Sequence, residues 1–224
     1  MAGLRERKKE QTRRRIAEVA LRLFAERGFD AVTVNEIAEA AGVAKVTLFS
    51  YFPSKDCLVL DGVKDDMARI VAGRGPGVTP LAALRAHYRA LVAADTEELD
   101  VEALMTRVRV ISASPALLAG VQQAYAEERE ELAAALAAAR DPDGTAQAPE
   151  TTARAPERPA RCPDLAARVM AAQITATVTT LQETFFARLA AGTPLAEAGR
   201  ALAEDVELAF DLLEHGHDTE RGTS

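Results

Sequence analysis

The sequence has few of the residues that build enzyme and metal sites. It contains three histidines and two cysteines in 224 residues, and Cys57 and Cys162 are far apart with no metal-ligand spacing around them. A G-x-S-x-G motif is absent, and the glycine-rich stretch 73–77 lacks the following Lys-Ser/Thr and the preceding strand of a phosphate-binding loop. We therefore expect no catalytic residues, no metal site and no cofactor, and we do not expect an enzyme.

Long apolar runs are also missing. Charged residues interrupt every apolar run before it reaches the roughly 18–20 residues of a membrane helix. The first fifteen residues are polar and basic, unlike a signal peptide. Spacing alone does not decide whether Cys57 and Cys162 form a disulfide, but two reduced cysteines are the better expectation. We expect a cytoplasmic protein with no membrane partner.

The charge is divided unevenly along the chain. The formal net charge is −7, yet residues 1–56 carry +3 and the remainder −10. Residues 1–15 hold seven basic and two acidic side chains. A solvated basic tail is one interpretation, and an end suited to a polyanion such as nucleic acid is the other.

Helical periodicity dominates, and an all-α fold is predicted. Ile16, Val19, Ala20, Leu23 and Phe24 share one helical face, and Gly28 is placed to end that helix. Further helices are predicted at 54–72, 80–94, 101–112, 115–140, 164–191 and 194–215. Segment 141–163 has five prolines and few large apolar residues, which predicts a disordered loop.

We predict four parts on this basis. Residues 1–10 form a flexible basic arm, and 11–56 form a three-helix domain. Residues 57–215 form a larger helical domain, and 216–224 form a tail.

Residues 33–52 predict two short helices joined by a tight turn. Thr33 and Glu36 have the spacing of a capping box, and Gly42 suits the turn. This is the helix-turn-helix arrangement, whose second helix enters the major groove of DNA. A structural helical hairpin without a DNA role is the alternative, and the basic segment upstream disfavours it.

The second short helix, roughly 44–51, has two distinct faces. Ala44, Leu48 and Phe52 recur every four residues and are predicted to pack inward. An outward Val46 and Phe49 suit contacts with thymine methyls or sugars.

Polar residues around these helices are expected to contact DNA as well. Lys45 is placed for phosphate or guanine, Tyr51 and Lys55 for phosphates, and the amide end of the helix opening at Thr33 attracts a phosphate. The predicted set from this pattern is Thr33, Lys45, Val46, Thr47, Phe49, Ser50, Tyr51 and Lys55.

Residues 10–60 resemble the DNA-binding domain of the TetR family. The matching features are Gly28-Phe29, the I-A-x-x-A-G-V turn, and T-L-F-S-Y-F-P-S-K-D-C-L at 47–58. Ala44 departs from the family's usual Ser or Thr and lacks the capping hydroxyl, and Phe49 departs from the frequent Tyr and lacks the hydroxyl that would bond a phosphate. The resemblance implies a base contact from Asn35, a homodimer, and an inverted-repeat operator in double-stranded DNA.

The same resemblance implies that the last two long helices form the dimer interface. Two apolar stripes are available, and on periodicity alone they favour an internal core. The resemblance reverses that preference. The predicted interface residues are Ile174, Val178, Leu181, Phe185, Leu202, Val206, Ala209, Phe210 and Leu213.

An effector pocket is implied within roughly residues 55–140, closed in part by the first of the last two helices. Polar residues on apolar helix faces are the candidates: His87, Tyr88, Arg107, Arg109, Tyr125, Gln173 and Thr177. The alanine-rich C-terminal part resembles acyl-coenzyme A-responsive members, which implies acyl-CoA or another apolar metabolite as effector. The expected function is a repressor that such a ligand releases from DNA. The alternative is a DNA-binding protein without a small-molecule effector, regulated by a partner protein.

Overall fold

The computed structural model describes residues 2–61, 63–93, 100–140 and 165–216. Within these ranges all regular structure is helical, as the sequence predicts. The helices are α1 (Ala2–Arg27), α2 (Val34–Ala40), α3 (Lys45–Tyr51), α4 (Cys57–Leu60), α5 (Met67–Ala72), α6 (Pro80–Ala93), α7 (Val101–Ser112), α8 (Pro115–Arg140), α9 (Leu165–Ala190) and α10 (Leu195–His215).

The chain divides into two compact units. Unit 1 is Met1–Lys64 with Leu99–Ala124, and unit 2 is Asp65–Glu98 with Tyr125–Ser224. The division differs from the predicted boundary at 56/57, because α7 and the start of α8 belong to unit 1 with the helix-turn-helix. The predicted loop 141–163 and the tail beyond Gly216 lie outside the described residues.

Unit 1 is built around the apolar stripe of α1. Ile16, Ala20 and Phe24 are fully buried, and α2, α4 and α7 all pack on this helix. Val110 of α7 and Leu117 at the start of α8 complete the core. Burial of these side chains, rather than helix propensity, stabilises such short helices.

Unit 2 is a bundle of α5, α6, the second part of α8, α9 and α10. Helix α10 packs on both α6 and α9, and α5 packs on α6. The core contains Leu84, Leu132, Ile174, Val206 and Phe210, which have almost no exposed surface. The interior is therefore lined by the apolar faces of all these helices.

Two local predictions were wrong. The expected continuous helix at 54–72 is two helices, α4 and α5. Asp66, which precedes α5, has a left-handed backbone (φ 57°), a conformation that interrupts a helix and that Asp tolerates better than most residues. Arg107 also covers the end of α4, where Nε donates to the Val59 carbonyl at 2.6 Å.

The predicted flexible arm, 1–10, is helical from Ala2 onward. Strong helix formers such as Arg, Lys and Glu occupy this segment. Glu10 pairs with Arg14 one turn later at 3.2 Å, and the Thr12 hydroxyl donates to the Lys8 carbonyl at 2.9 Å.

Among the described helices, none is by itself long and apolar enough to cross a membrane. Val101–Ser112 and Pro115–Ala139 reach the required length and composition only when counted together across the bend between them.

Candidate nucleic-acid interface

Helix α2 opens with the predicted capping box. The Thr33 hydroxyl accepts from the Glu36 N–H at 3.3 Å, and the Glu36 carboxylate accepts from the Thr33 N–H at 2.7 Å. Arg27 pairs with the same carboxylate at 2.8 Å. The backbone hydrogen bond from Thr33, followed by its hydroxyl and Arg27, lowers the pKa of Glu36 to about 2. The start of α2 is therefore fixed against α1.

The turn between α2 and α3 needs a glycine. Gly42 has φ 64°, in the left-handed region that other residues enter at a cost. The Val43 N–H donates to the Ala38 carbonyl at 3.0 Å, and the Val43 side chain packs on the unit 1 core. These contacts set the direction in which α3 leaves the turn.

Ala44 is the N-cap residue of α3 and makes no side-chain hydrogen bond, because alanine has no polar side-chain atom. It is exposed, so its predicted inward packing was wrong. Leu48 and Phe52, by contrast, are buried as predicted. Ala44 lies in extended backbone before the helix, where helical periodicity no longer decides which way a side chain points.

The outward face of α3 carries two apolar side chains. Val46 is 77% exposed and Phe49 is 39% exposed. The Lys45 ammonium lies 6.0 Å from the centre of the Phe49 ring. Ser50 is exposed too, but its hydroxyl donates to the Thr47 carbonyl at 2.6 Å. This face presents apolar surface beside a positive charge, a combination that suits the major groove.

The Lys55 ammonium is held by contacts within unit 1, whereas its predicted role is to contact a DNA phosphate. Its ammonium donates to the Phe29 carbonyl at 2.5 Å and lies 4.2 Å from the Phe29 ring centre and 5.7 Å from that of Phe24. Burial lowers the pKa of Lys55 from its usual range. We therefore interpret Lys55 as a residue that holds α1 to the segment after α3.

Arg13 was not singled out from the sequence, yet it positions the end of α3. Its guanidinium donates to the Tyr51 carbonyl at 3.2 Å, stacks 4.8 Å from the Phe52 ring centre, and pairs with Asp61. Its position three residues before Ile16, on the apolar side of α1, was the only sequence signal for an inward role.

The remaining predicted contact residues are divided between exposed and half-buried positions. Asn35 is exposed near the start of α2, and Thr47 and Tyr51 are half-buried. The basic side chains along the first part of α1 are exposed: Arg7, Lys8, Lys9, Arg14 and Arg15. Unit 1 therefore combines the face of α3 with a strongly positive α1.

The predicted effector residues do not form one group. Tyr88 and Tyr125 lie in unit 2, where a hydrogen-bond network joins them, and His87 contacts the Tyr88 ring edge-on at 5.3 Å. Arg107 and Arg109 lie in unit 1, the latter donating to the Thr106 hydroxyl at 2.9 Å.

Gln173 and Thr177 line a groove of about 510 Å³ between α9 and α10. A second, strongly apolar pocket of about 410 Å³ lies among α6, α8 and α9, lined by Leu81, Leu136, Met170 and Ile174. None of the predicted effector residues lines this second pocket.

The predicted dimer-interface residues lie mostly inside the protomer. Ile174, Val178, Leu181, Val206 and Phe210 are buried in the unit 2 core, and Leu202, Ala209 and Leu213 pack against it. Phe185 is half-buried beside Phe186, with ring centres 5.8 Å apart. The stripes are thus the internal core that periodicity alone favoured.

The last two helices leave a different apolar set exposed. Leu208 of α10 is 61% exposed, and Leu212, Val169 and Met170 are also exposed. These residues, unlike the most buried members of the stripes, are accessible on the surface of the protomer.

Three potential metal ligands do come together in the described part of α10. Oxygen and nitrogen atoms of Asp211, Glu214 and His215 lie within 4.8 Å of one another. Arg85 already pairs with Asp211 at 2.8 Å and with Glu214 at 3.2 Å. The group is best described as a surface ion-pair cluster.

Residues 16–61 match the family model of bacterial regulatory proteins, tetR family. This segment contains the capping box, the glycine turn and α3. Residues 16–61 are therefore similar to the DNA-binding domain of the TetR family. This is also the segment in which the capping box and the glycine turn could be predicted from the local sequence.

Curated relatives extend the likeness beyond this domain. The HTH-type transcriptional regulator TcmR of Streptomyces glaucescens is 32% identical over 146 residues, 62% of this chain and 64% of TcmR. The transcriptional regulator MftR of Mycobacterium tuberculosis is 36% identical over 129 residues, 57% of this chain and 65% of MftR. The match thus spans less than two thirds of either relative. Both are named as transcriptional regulators.

One solved structure shares the fold over most of the chain, and a second is similar in sequence. NalD of Pseudomonas aeruginosa, a repressor of the MexAB-OprM efflux pump, has a TM-score of 0.54 at 18% identity, covering 92% of this chain and 96% of NalD. Thermus thermophilus FadR, solved with lauroyl-CoA, is 26% identical over 95% of this chain and 98% of FadR, with a TM-score of 0.43. The NalD likeness establishes the all-α fold, and the FadR likeness is too low to indicate a ligand.

Proposed function

We propose that this protein is a transcriptional repressor that binds an inverted-repeat operator as a homodimer and leaves it when a small, largely apolar ligand binds unit 2. The observation that carries the DNA-binding part is the outward face of α3, where Val46 and Phe49 are exposed next to Lys45. Apolar side chains on a solvated helix gain nothing from water, but they gain contact with thymine methyls in the major groove.

The positive charge of α1 supports the same proposal. The exposed Arg and Lys side chains of residues 7–15 would neutralise phosphates and release counterions. Binding through these side chains is independent of sequence, whereas α3 supplies the sequence preference.

The homodimer is supported by apolar side chains that α9 and α10 leave exposed. Leu208 and Leu212 recur one turn apart on α10, and Val169 is exposed on α9. A two-fold arrangement of two such faces would pair two copies of α3 with two half-sites about one DNA turn, or roughly 34 Å, apart.

The ligand part is supported by the apolar pocket in unit 2. Its volume of about 410 Å³ lies in the ordinary range for small-molecule sites. A ligand that favours one arrangement of the dimer by about 1–3 kcal/mol would change operator occupancy five- to 150-fold.

The test is selection of bound fragments from random duplex DNA by the purified full-length protein. The proposal expects an enriched inverted repeat, with half-site affinity reduced when a contacted thymine is replaced by uracil, which lacks the methyl group. Binding that is sensitive to salt but indifferent to sequence would refute it.

Ligand release is tested next with the selected operator. A panel of apolar molecules is screened for a rise in melting temperature and then for loss of operator binding. If no molecule does either while operator binding persists, the ligand part of the proposal fails and a partner protein becomes the regulator to seek.

A further inference from the structure

The short helix α4 depends on α7 for its C-terminal end. It is a single turn, Cys57–Leu60, so its stability comes from packing and side-chain contacts rather than from its own hydrogen bonds. The last carbonyls of a helix have no partner within that helix. Arg107 of α7 supplies one here, because its guanidinium donates to the Val59 carbonyl at 2.6 Å and to the Asp61 carbonyl. Arg107 therefore fixes the backbone position of Asp61.

The side chain of Asp61 contacts α1 at the same time. Its carboxylate pairs with the guanidinium of Arg13. The same guanidinium donates to the Tyr51 carbonyl at 3.2 Å and stacks on the Phe52 ring, 4.8 Å from its centre. Tyr51 is the last residue of α3, and Phe52 is its C-cap. Asp61 thus fixes the side chain that holds the end of α3.

These contacts form one chain of three side chains, Arg107, Asp61 and Arg13, which we call the Asp61 relay. All three belong to unit 1. A guanidinium carries its donors in a rigid planar fork, so a guanidinium that bonds two groups fixes their relative position. Arg107 fixes Val59 against Asp61, and Arg13 fixes Asp61 against Tyr51. The relay therefore connects α7 to the end of α3.

Water is a poor substitute for Arg107 at this site. Val59 is 1% exposed, so its carbonyl has little access to another donor. Burial also lowers the pKa of Arg107 from its usual range, and the charge of Asp61 opposes that effect. Removal of the guanidinium would leave a buried carbonyl without this partner, which is unfavourable. The end of α4 would then shift to find another donor, and Asp61 would shift with it.

We infer that Arg107 is a positioning residue for DNA reading, which holds α3 through Asp61 and Arg13 in the orientation that the operator requires. The inference rests on the proposed function, because it concerns how α3 is presented to DNA. It gives Arg107 a role within unit 1 in place of the effector contact expected from the sequence. The role does not require Arg107 to touch DNA.

A loosened α3 has a distinct effect on binding. When only a fraction of the molecules presents the competent orientation, the apparent operator affinity falls by that fraction. Binding to non-specific DNA depends mainly on charge and is affected far less. The ratio of operator affinity to non-specific affinity therefore reports on the relay.

The first test compares Arg107→Met with Arg109→Met. Both remove one positive charge from α7, but Arg109 is exposed and donates to the Thr106 hydroxyl of its own helix at 2.9 Å. Binding of the full-length variants to the selected operator and to a scrambled duplex is measured by fluorescence anisotropy at one salt concentration. We expect Arg107→Met to lower the affinity ratio about tenfold, as for one lost hydrogen bond of a charged group, and Arg109→Met to leave it unchanged. An unchanged ratio for Arg107→Met, or equal losses in both variants, would overturn the inference.

Asp61→Asn tests the relay at an exposed position, where the substitution is compatible with folding even if Arg107→Met is not. It removes the charge that pairs with Arg13 and keeps the backbone carbonyl that Arg107 binds. Asp56→Asn is the matched control, because it removes the same charge at the other end of α4, where the carboxylate makes no capping hydrogen bond. Loss of a negative charge by itself favours DNA binding.

We therefore expect Asp61→Asn to bind the operator more weakly than Asp56→Asn, by about twofold to fivefold, the range of a partly exposed ion pair. Asp61→Asn binding at least as tightly as Asp56→Asn would overturn the inference. The double variant shows whether Arg107 acts through Asp61. Arg107→Met should weaken operator binding less in the Asp61→Asn background than in the wild type, and fully additive losses would overturn the inference.

Hydrogen exchange of the free protein gives a readout that needs no DNA. The Phe52 N–H bonds to the Leu48 carbonyl at the end of α3, at 3.0 Å. In Arg107→Met it should exchange severalfold faster, beyond any change at the amide of Ala20 in the core of α1, which reports on general stability. Equal acceleration at both amides would overturn the inference. DNA selection by the wild type reports on the proposed function separately, so the two can fail independently.

Discussion

Lys55 offers the sharpest test of how the DNA-binding domain is held together. As a phosphate contact, it would be expendable for folding. In the structure its ammonium instead donates to the Phe29 carbonyl at 2.5 Å and lies 4.2 Å from the Phe29 ring centre. Lys55→Met keeps most of the aliphatic stem and removes both interactions.

The expected loss follows from these two contacts. A hydrogen bond from a charged group contributes about 1.5–3 kcal/mol. A cation–π contact at a partly exposed site contributes about 0.5–1 kcal/mol. Allowing for partial solvation, we expect Lys55→Met to lower the free energy of unfolding by about 2 kcal/mol. With a urea m-value of about 2 kcal/mol per molar, the midpoint moves down by roughly 1 M.

The assay is urea unfolding followed by circular dichroism, with operator binding measured on the folded variant. Lys45→Met is the matched control, because Lys45 is exposed on α3 and its loss should leave the urea midpoint unchanged while altering operator binding. The reasoning is refuted if Lys55→Met keeps the wild-type midpoint and weakens binding to all DNA sequences with a salt slope lower by about one, as a phosphate contact would.

Three further predictions concern other parts of the chain. The pKa of Glu36 is about 2 in the folded protein, below its unfolded value, so its stabilising contribution is present above about pH 4.5 and is lost as the pH falls towards 2. Glu36→Gln should therefore flatten the dependence of the unfolding free energy on pH in that window, as measured by urea titrations at stepped pH. An unchanged dependence on pH would contradict this. Gly42→Ala should lower the free energy of unfolding by about 1–2 kcal/mol through its φ of 64°, since no atom lies within 4 Å of the added Cβ. Gly199→Ala in α10 adds a Cβ in equally open space at an ordinary φ, so it should be neutral or stabilise by up to about 1 kcal/mol. Equal shifts of the urea midpoint in the two variants would show that backbone strain is not the cause. Leu208→Arg should weaken the proposed homodimer at least tenfold in sedimentation equilibrium, whereas Leu91→Arg, at a similarly exposed position, should not. A dimer that tolerates both substitutions would place the interface elsewhere.

The helix-turn-helix could be predicted because its signals are local. The capping box spans Thr33–Glu36, and the turn depends on the backbone of one residue, Gly42. The stripe of α1 likewise follows from periodicity, which predicts the buried face of a helix without knowledge of its neighbours. Local rules of this kind need no tertiary information.

Two of the unpredicted features depend on contacts between distant residues. Helix 54–72 is broken where Asp65 bonds to α6 and α9, and where Arg107 of α7 covers the end of α4. Lys55 has the spacing of a phosphate contact, but its partner Phe29 lies 26 residues earlier. Neither partner can be read from the sequence around the residue concerned.

The stripes of the last two helices show a related limit. Periodicity identified Val178 and Phe210 as apolar-face residues, and both are buried. Periodicity does not show whether the same protomer or a second copy covers such a face. The choice between core and interface therefore rested on the resemblance to the TetR family. The exposed residue Leu208 lies on the opposite side of α10 from that stripe, where a purely internal helix would be polar.

The central claim is that the outward face of α3 reads DNA sequence. Selection from random duplex DNA should be run in parallel with the wild type, Val46→Ala and a control substitution away from α3, Arg69→Ala. The account predicts one inverted repeat for the wild type and control, and a changed or relaxed preference at one position in each half-site for Val46→Ala. The same motif from all three proteins, or no motif from any of them, would contradict it.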